Sequence, residues 1–280
     1  MTTITGPARF ASSVAARPRA RVQPQAWIGV TAWLLYSGLV FVVQKHAAIP
    51  YPEWGNTAAN LWQAADVSLI AGGVLMALLT GLLGWWKPVL FDGSRARLAW
   101  AWIVPIAMIA LTALGLIATD YSAIGPEFLL TAVILGVLVG FAEEMMARGV
   151  LLTGLRARLG ERSVWLLTSL MFGVFHLINL ALGAPAIGAA QVVTAGLSGS
   201  IFYVARRLSG TLLVPMLLHG AWDFMTFVQD KAPAFEAHSD LIVIVGLVSL
   251  IAAWKLTADP YRSPARPASL LTNIYEGVPS

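Results

Sequence analysis

Eight apolar runs separated by short polar breaks organise the chain: Trp27–Val43, Val67–Trp86, Leu98–Thr119, Phe128–Met146, Ser163–Ala184, Ile187–Ala205, Thr211–Val228 and Leu241–Trp254. Crossing roughly 30 Å of hydrocarbon takes about 20 residues at helical rise, and most of the runs reach that length; the first and last are the shortest. Gly72, Gly73 and Pro105 fall inside runs. They would weaken a soluble helix, but small residues and proline are commoner in membrane helices, where they allow close packing. No solenoid period interrupts the series. The pattern predicts an all-α polytopic bundle of about eight transmembrane helices.

Composition narrows this further. Of 280 residues only 11% are charged and 58% are hydrophobic, and the mean hydropathy is +0.75. A soluble globular chain carries about 25% Asp, Glu, Lys and Arg, so a soluble one- or two-domain enzyme is excluded. The absence of cysteine removes disulfides, Cys-ligated metal centres and thiol nucleophiles.

A net charge of +4 and a pI near 9.6 raise the question of nucleic acid, which the placement of the cations answers. Sixteen of the 18 Lys and Arg fall before run 1, between runs 2 and 3, after run 4, after run 6 and after run 8. The alternate breaks hold only Lys45 and Lys231. Basic residues concentrate in cytoplasmic loops, so this alternation predicts both termini in the cytoplasm. The expected partner is membrane lipid, with no nucleic acid. Residues 1–26 and 257–280 are expected as flexible tails around a membrane domain at 27–256. A cleaved signal peptide is the rival for run 1, but its polar lead is long and Gln44-Lys45-His46 offers no small-x-small cleavage site; we read it as an uncleaved anchor.

Ionisable groups at membrane depth cost several kcal/mol and are usually kept for function. Three clusters remain once the loops are set aside. Glu143-Glu144-Met145-Met146-Ala147-Arg148 closes run 4. Glu144 and Arg148 are i,i+4 neighbours in the favourable order, while Glu143 lies about 100° round the helix and looks for partners elsewhere. Phe172-Gly173-Val174-Phe175-His176 lies in run 5, and His219-Gly220-Ala221-Trp222-Asp223 puts His219 and Asp223 on one face of run 7. Taken singly, each has a plainer reading: an interfacial ion pair, a hydrogen-bonded packing histidine, a polar contact within one helix. Together they predict one pocket lined by Glu143, His176, His219 and Asp223.

Such a pocket supports two chemistries. Without metal, Glu143 acts as general base on a water held with His176, and His219 with Asp223 stabilises the oxyanion of a tetrahedral intermediate. With metal, Glu143, His176 and His219 form a zinc set with an open position for water. No HExxH is present, and Gly196-Leu197-Ser198-Gly199-Ser200 is not the GxSxG of a serine hydrolase.

The three clusters resemble the motifs EExxxR, FxxxH and HxxxN/D of the CAAX prenyl-protease and bacteriocin-processing (CPBP, or Abi) intramembrane proteases. The resemblance covers about residues 126–228. It implies an intramembrane endopeptidase acting on membrane-associated or prenylated-type proteins or peptides, in a bacterial plasma membrane, with its site in the cytoplasmic half. By the resemblance Glu143 is the water-activating base, Glu144 and Arg148 its supporting pair, His176 its partner on the water, and His219 with Asp223 the oxyanion-side pair. Asp223 stands where many members carry Asn. Members are described as metal-independent glutamate proteases and as metalloproteases; we expect no required cofactor, with zinc as the alternative. Two other classes stay open: a non-catalytic membrane scaffold or immunity protein of the same fold, and an ion- or proton-coupled transporter. The latter usually shows repeats or interrupted helices in both halves.

Overall fold

A computed structural model describes residues 20–235 and 239–258 of the chain. The outer parts of both expected tails, with Arg9, Arg17, Arg19, Arg262 and Arg266, lie outside the described residues. Within them the fold is all-α. Six helices are long and apolar enough to cross a membrane: α1 Ala26–Ala47, α2 Ala58–Leu83, α3 Ala99–Ile117, α4 Pro126–Leu155, α5 Glu161–Ala181 and α6, which runs Pro185–Ser209. The two remaining runs also fold as helices, α7 Leu213–Lys231 and α8 Ile242–Leu256. α7 is long enough but carries His219, Asp223, Asp230 and Lys231; α8 is apolar but has only 15 residues.

Local sequence sets several of the ends. Pro126 opens α4 and Pro185 opens α6, where a missing N–H costs nothing. Gly84 and Gly210 close α2 and α6 at φ +70° and +76°, the left-handed region that glycine enters without a Cβ penalty. Large apolar side chains point outward along the bundle, among them Leu78, Ile106, Leu130, Val137, Leu170 and Leu217, a surface that suits lipid and not water.

α4 packs against α7, α5 against α6, and α6 in turn against α8. The α4–α7 approach is made by glycines. A Cβ on Gly136 would stand 2.7 Å from the Gly220 carbonyl oxygen, and one on Gly140 or Gly220 would strike the facing backbone outright. Backbone-to-backbone packing of this kind is how membrane helices gain contact without a hydrophobic driving force between them. It also brings the Glu143-Glu144 end of α4 against His219 on α7.

One end of the bundle is tied by buried charge. The Asp92 carboxylate, in the segment between α2 and α3, accepts from Arg156 Nη1 at 2.9 Å, Arg206 Nε at 3.0 Å and Arg207 Nη1 at 2.8 Å. Arg156 also reaches Glu161, which accepts from the Tyr203 hydroxyl at 2.7 Å. Burial alone would raise the Asp92 carboxyl, but the guanidiniums, Arg206 foremost and then Arg156 and Arg207, hold it well below the usual carboxylate range. The sequence pattern counted Arg206 and Arg207 among the loop cations and put Arg148 at the end of run 4; all three side chains are buried. The physical reason is that each has an acid or a row of carbonyls to meet: Glu144 for Arg148, Asp92 for Arg207, and Asp92 with the carbonyls of Pro88, Val89 and Arg148 for Arg206.

Candidate active site

The middle of α4 changes winding as it reaches the two glutamates. Pro126–Glu144 is α-helical, Met145–Leu151 is π-helical, and Leu152–Leu155 returns to α. Single π turns inside α-helices are frequent at functional sites. This one carries Arg148, whose Nη1 donates to Glu144 Oε1 at 2.8 Å with both side chains fully buried. The Arg148 carbonyl receives the Arg206 guanidinium, so the turn is held from the charged end of the bundle. Gly199 on α6 makes room for the guanidinium: a Cβ there would stand 2.9 Å from Arg148 Nη2. The same guanidinium lies over the Phe172 ring at 4.0 Å from its centroid, a cation–π contact strengthened by desolvation. The predicted ion pair is therefore present, but inside the bundle and not at its edge.

His219 adds a contact that residue spacing did not reveal. Its Nδ1 lies 3.1 Å from Glu144 Oε1, so Glu144 fixes both Arg148 and His219. The predicted pairing of His219 with Asp223 is looser. Nε2 stands 3.9 Å from Asp223 Oδ1 and 3.9 Å from Glu143 Oε2, too far for hydrogen bonds and close enough for one oxygen atom to be shared between them. The imidazole stacks on Phe202 at 4.6 Å and meets the edge of Phe172 at 5.6 Å, which leaves little freedom to its plane.

His176 ends the first stretch of α5, where the chain turns before Ile178–Ala181 resumes the helix. Its Nδ1 lies 2.9 Å from the Phe172 carbonyl, so Nε2 is the nitrogen left for other work. Phe172 touches His176 and His219 edge-on. The phenylalanine of the second cluster thus packs Arg148 and both histidines at once.

Glu143, His176, His219 and Asp223 all line one cavity of about 430 Å³, as the sequence predicts; Glu144 and Arg148 lie behind its wall. Glu143 is 7% exposed, and its Oε2 has no hydrogen-bond partner among the described residues. One carboxylate of the adjacent pair is thus neutralised by Arg148, while the other faces the cavity with His219 Nε2 at 3.9 Å. Among the described residues no three His, Cys, Asp or Glu side chains are grouped as a metal-ligand set. His219 Nδ1 is held by Glu144, and its Nε2 stands as near to Asp223 as to Glu143.

Further along, the cavity is walled by Tyr51, Gln191 and Asn179, joined in a chain: Asn179 Nδ2 donates to Gln191 Oε1 at 2.8 Å and Gln191 Nε2 to the Tyr51 hydroxyl at 2.5 Å. Burial pushes that hydroxyl up to about 12, so it stays uncharged. Neither this chain nor Asp92 was singled out from sequence. The one available signal for Asp92 is that it is the lone acid in a segment otherwise carrying Lys87, Arg95 and Arg97.

A search of curated proteins gives no match. Residues 125–225, which contain the EExxxR, FxxxH and HxxxD residues, match the profile of the family described as type II CAAX prenyl endopeptidase Rce1-like. Over that segment the chain is similar to type II CAAX prenyl endopeptidases of the Rce1-like family, the kind of protease its motifs resemble.

Proposed function

We propose that the protein is an intramembrane endopeptidase in which Glu143 is the general base that activates a water for attack on a peptide carbonyl. His176 shares that water through Nε2. His219, oriented by Glu144, presents Nε2 to the developing oxyanion when the ring is protonated, with Asp223 beside it; the proton taken by Glu143 passes to the leaving amine. Glu144 and Arg148 hold this arrangement and do not themselves touch substrate. No metal takes part in this reading. The substrates are membrane-associated proteins or peptides, and the alternation of cationic loops supports an orientation in which the two termini face the cytoplasm and the site lies in the cytoplasmic half of the bilayer.

The observation that carries the reading is the division of labour between adjacent glutamates, one bound to a buried guanidinium and one facing a cavity with two histidines and an aspartate. A scaffold needs no carboxylate oxygen left without a hydrogen bond in a cavity, and burying one is costly. Glu143→Gln keeps the size of the side chain but cannot take the proton. Hydrolysis of a quenched-peptide library by the purified protein in detergent should fall at least about 100-fold, the lower range for general-base catalysis. Wild-type rates in that variant would remove the assignment. The same assay with a strong chelator should leave the wild-type rate unchanged; loss on chelation with recovery on adding zinc would make it a metal enzyme.

A further inference from the structure

Asn179, Gln191 and Tyr51 share the cavity wall with Glu143, His176, His219 and Asp223, and they end on a hydroxyl whose hydrogen has no acceptor among the described residues. Asn179 sits in the turn after His176: its N–H donates to the His176 carbonyl at 3.0 Å, and its own carbonyl accepts from the N–H groups of Leu182 at 3.3 Å and Ala184 at 3.1 Å. The turn fixes the side chain that donates to Gln191, and Gln191 Nε2 in turn donates to the Tyr51 oxygen at 2.5 Å. Tyr51 is held independently, by its N–H on the Leu182 carbonyl at 2.9 Å and by its ring against Trp54, with centroids 4.7 Å apart. A phenol accepts through its oxygen and has one hydrogen to give. With Gln191 taking the first role, the hydrogen is left for the cavity. Burial raises this hydroxyl against the pull of the Gln191 hydrogen bond, and the carboxylates of Asp223 and Glu143 add to the rise, so the hydrogen stays in place at neutral pH. Helix α6 joins the chain to the reacting groups. Gln191, Thr194, Ser198 and Phe202 recur at helical spacing along one wall, and Phe202 stacks on His219.

We propose that Tyr51 is a substrate-binding residue: its hydroxyl, aimed by Gln191 and Asn179, donates to a main-chain carbonyl of the bound polypeptide, away from the bond that is cut. The proposal rests on the endopeptidase reading above and adds a subsite to it. A peptide carbonyl is the acceptor that every residue of a polypeptide offers, and a single uncharged O–H of fixed direction is the partner such a group needs. Gln191 and Phe202 are separated by about three helical turns, roughly 16 Å, which an extended chain covers in about five residues. The carbonyl held by Tyr51 therefore lies within about that many residues of the bond facing His219. A donor of this kind reads the main chain and not the side chains, so it positions a segment without selecting its sequence.

The test reads binding and not turnover. A fluorescein-labelled peptide is selected from a library by its binding to Glu143→Gln protein in detergent, followed by anisotropy, and its carbonyl oxygens are replaced one at a time by sulfur, since a thioamide is the poorer acceptor. Tyr51→Phe, which keeps the ring against Trp54, is added to the Glu143→Gln protein. The all-amide peptide should then bind about 2- to 10-fold more weakly, the range for one uncharged hydrogen bond. One thioamide position should cost a similar factor in the protein that keeps Tyr51 and nothing further in the one that lacks it, the coupling expected of two groups in direct contact. A displaced wall would weaken every peptide alike and leave each thioamide penalty in place; that result, equal binding by the two proteins, or no peptide bound by either would overturn the proposal. If Tyr51→Phe proves too unstable to assay, Gln191→Leu keeps the hydroxyl but releases its direction and should shrink the same penalty; a full penalty there would overturn the assignment. The endopeptidase reading stands or falls on hydrolysis by the wild type and its loss in Glu143→Gln, so failure of the subsite and failure of that reading are separately visible.

Discussion

Glu143 and Glu144 are neighbours in sequence with opposite surroundings, and substitution should separate them. Glu144 Oε1 accepts from Arg148 and meets His219 Nδ1, so Glu144→Gln leaves Arg148 as an uncompensated charge with no exposed surface. Removing one partner of a buried pair costs about 3–5 kcal/mol. Thermal unfolding in detergent should show a clear loss of stability for Glu144→Gln and little change for Glu143→Gln, whose charge has no guanidinium partner. Equal melting of the two variants would contradict the division of roles. At this scale the sequence was informative: i,i+4 spacing gave the Glu144–Arg148 pair, and the cost of lone charges in lipid gave the convergence of Glu143, His176, His219 and Asp223. It could not give the Glu144–His219 contact, because 75 residues separate the partners and no periodicity relates one helix face to another.

The helices themselves were legible because length and apolarity alone decide whether a segment can span; how they meet was not. The pairing of α4 with α7 depends on Gly136, Gly140 and Gly220, which read in the sequence only as small residues suited to packing. The π turn at Met145–Leu151 has no composition signal that we recognise, although it sets where Arg148 points. Gly140→Ala tests the interface. Alanine is the better helix former by about 1 kcal/mol, yet its Cβ would strike the Met216 backbone, and overpacking of this kind costs about 1–3 kcal/mol. Gly140→Ala should therefore lower both the melting temperature and hydrolysis, by pushing His219 away from the two glutamates. Gly38→Ala in α1, where a Cβ meets nothing within 4 Å, should be neutral or stabilising. If both substitutions behave alike, the close approach is not what positions the site.

At the scale of the whole molecule, the charged end and the cavity are parts of one arrangement. Asp92 holds Arg206, Arg206 holds the Arg148 carbonyl, and Arg148 holds Glu144, so the cluster at one end of the bundle also supports the site. Sequence showed the cations as a sidedness signal and did not show that three of them are buried, since a loop acid such as Asp92 looks solvated until the chain is folded. Asp92→Asn should remove about 3–5 kcal/mol by leaving buried guanidiniums short of their counter-charge. The pH dependence has a definite sign. Because the folded-state carboxyl is held well below its usual range, its stabilisation is complete above the unfolded value of about 3.9 and is lost as pH falls from there toward the folded value. The stability gap between wild type and Asp92→Asn, followed by thermal unfolding in detergent from pH 8 to pH 3, should stay constant down to about pH 5 and narrow only below about pH 4. A gap that closes between pH 7 and 5 would mean that Asp92 is not held by the three guanidiniums, and that this end of the bundle has some other fastening.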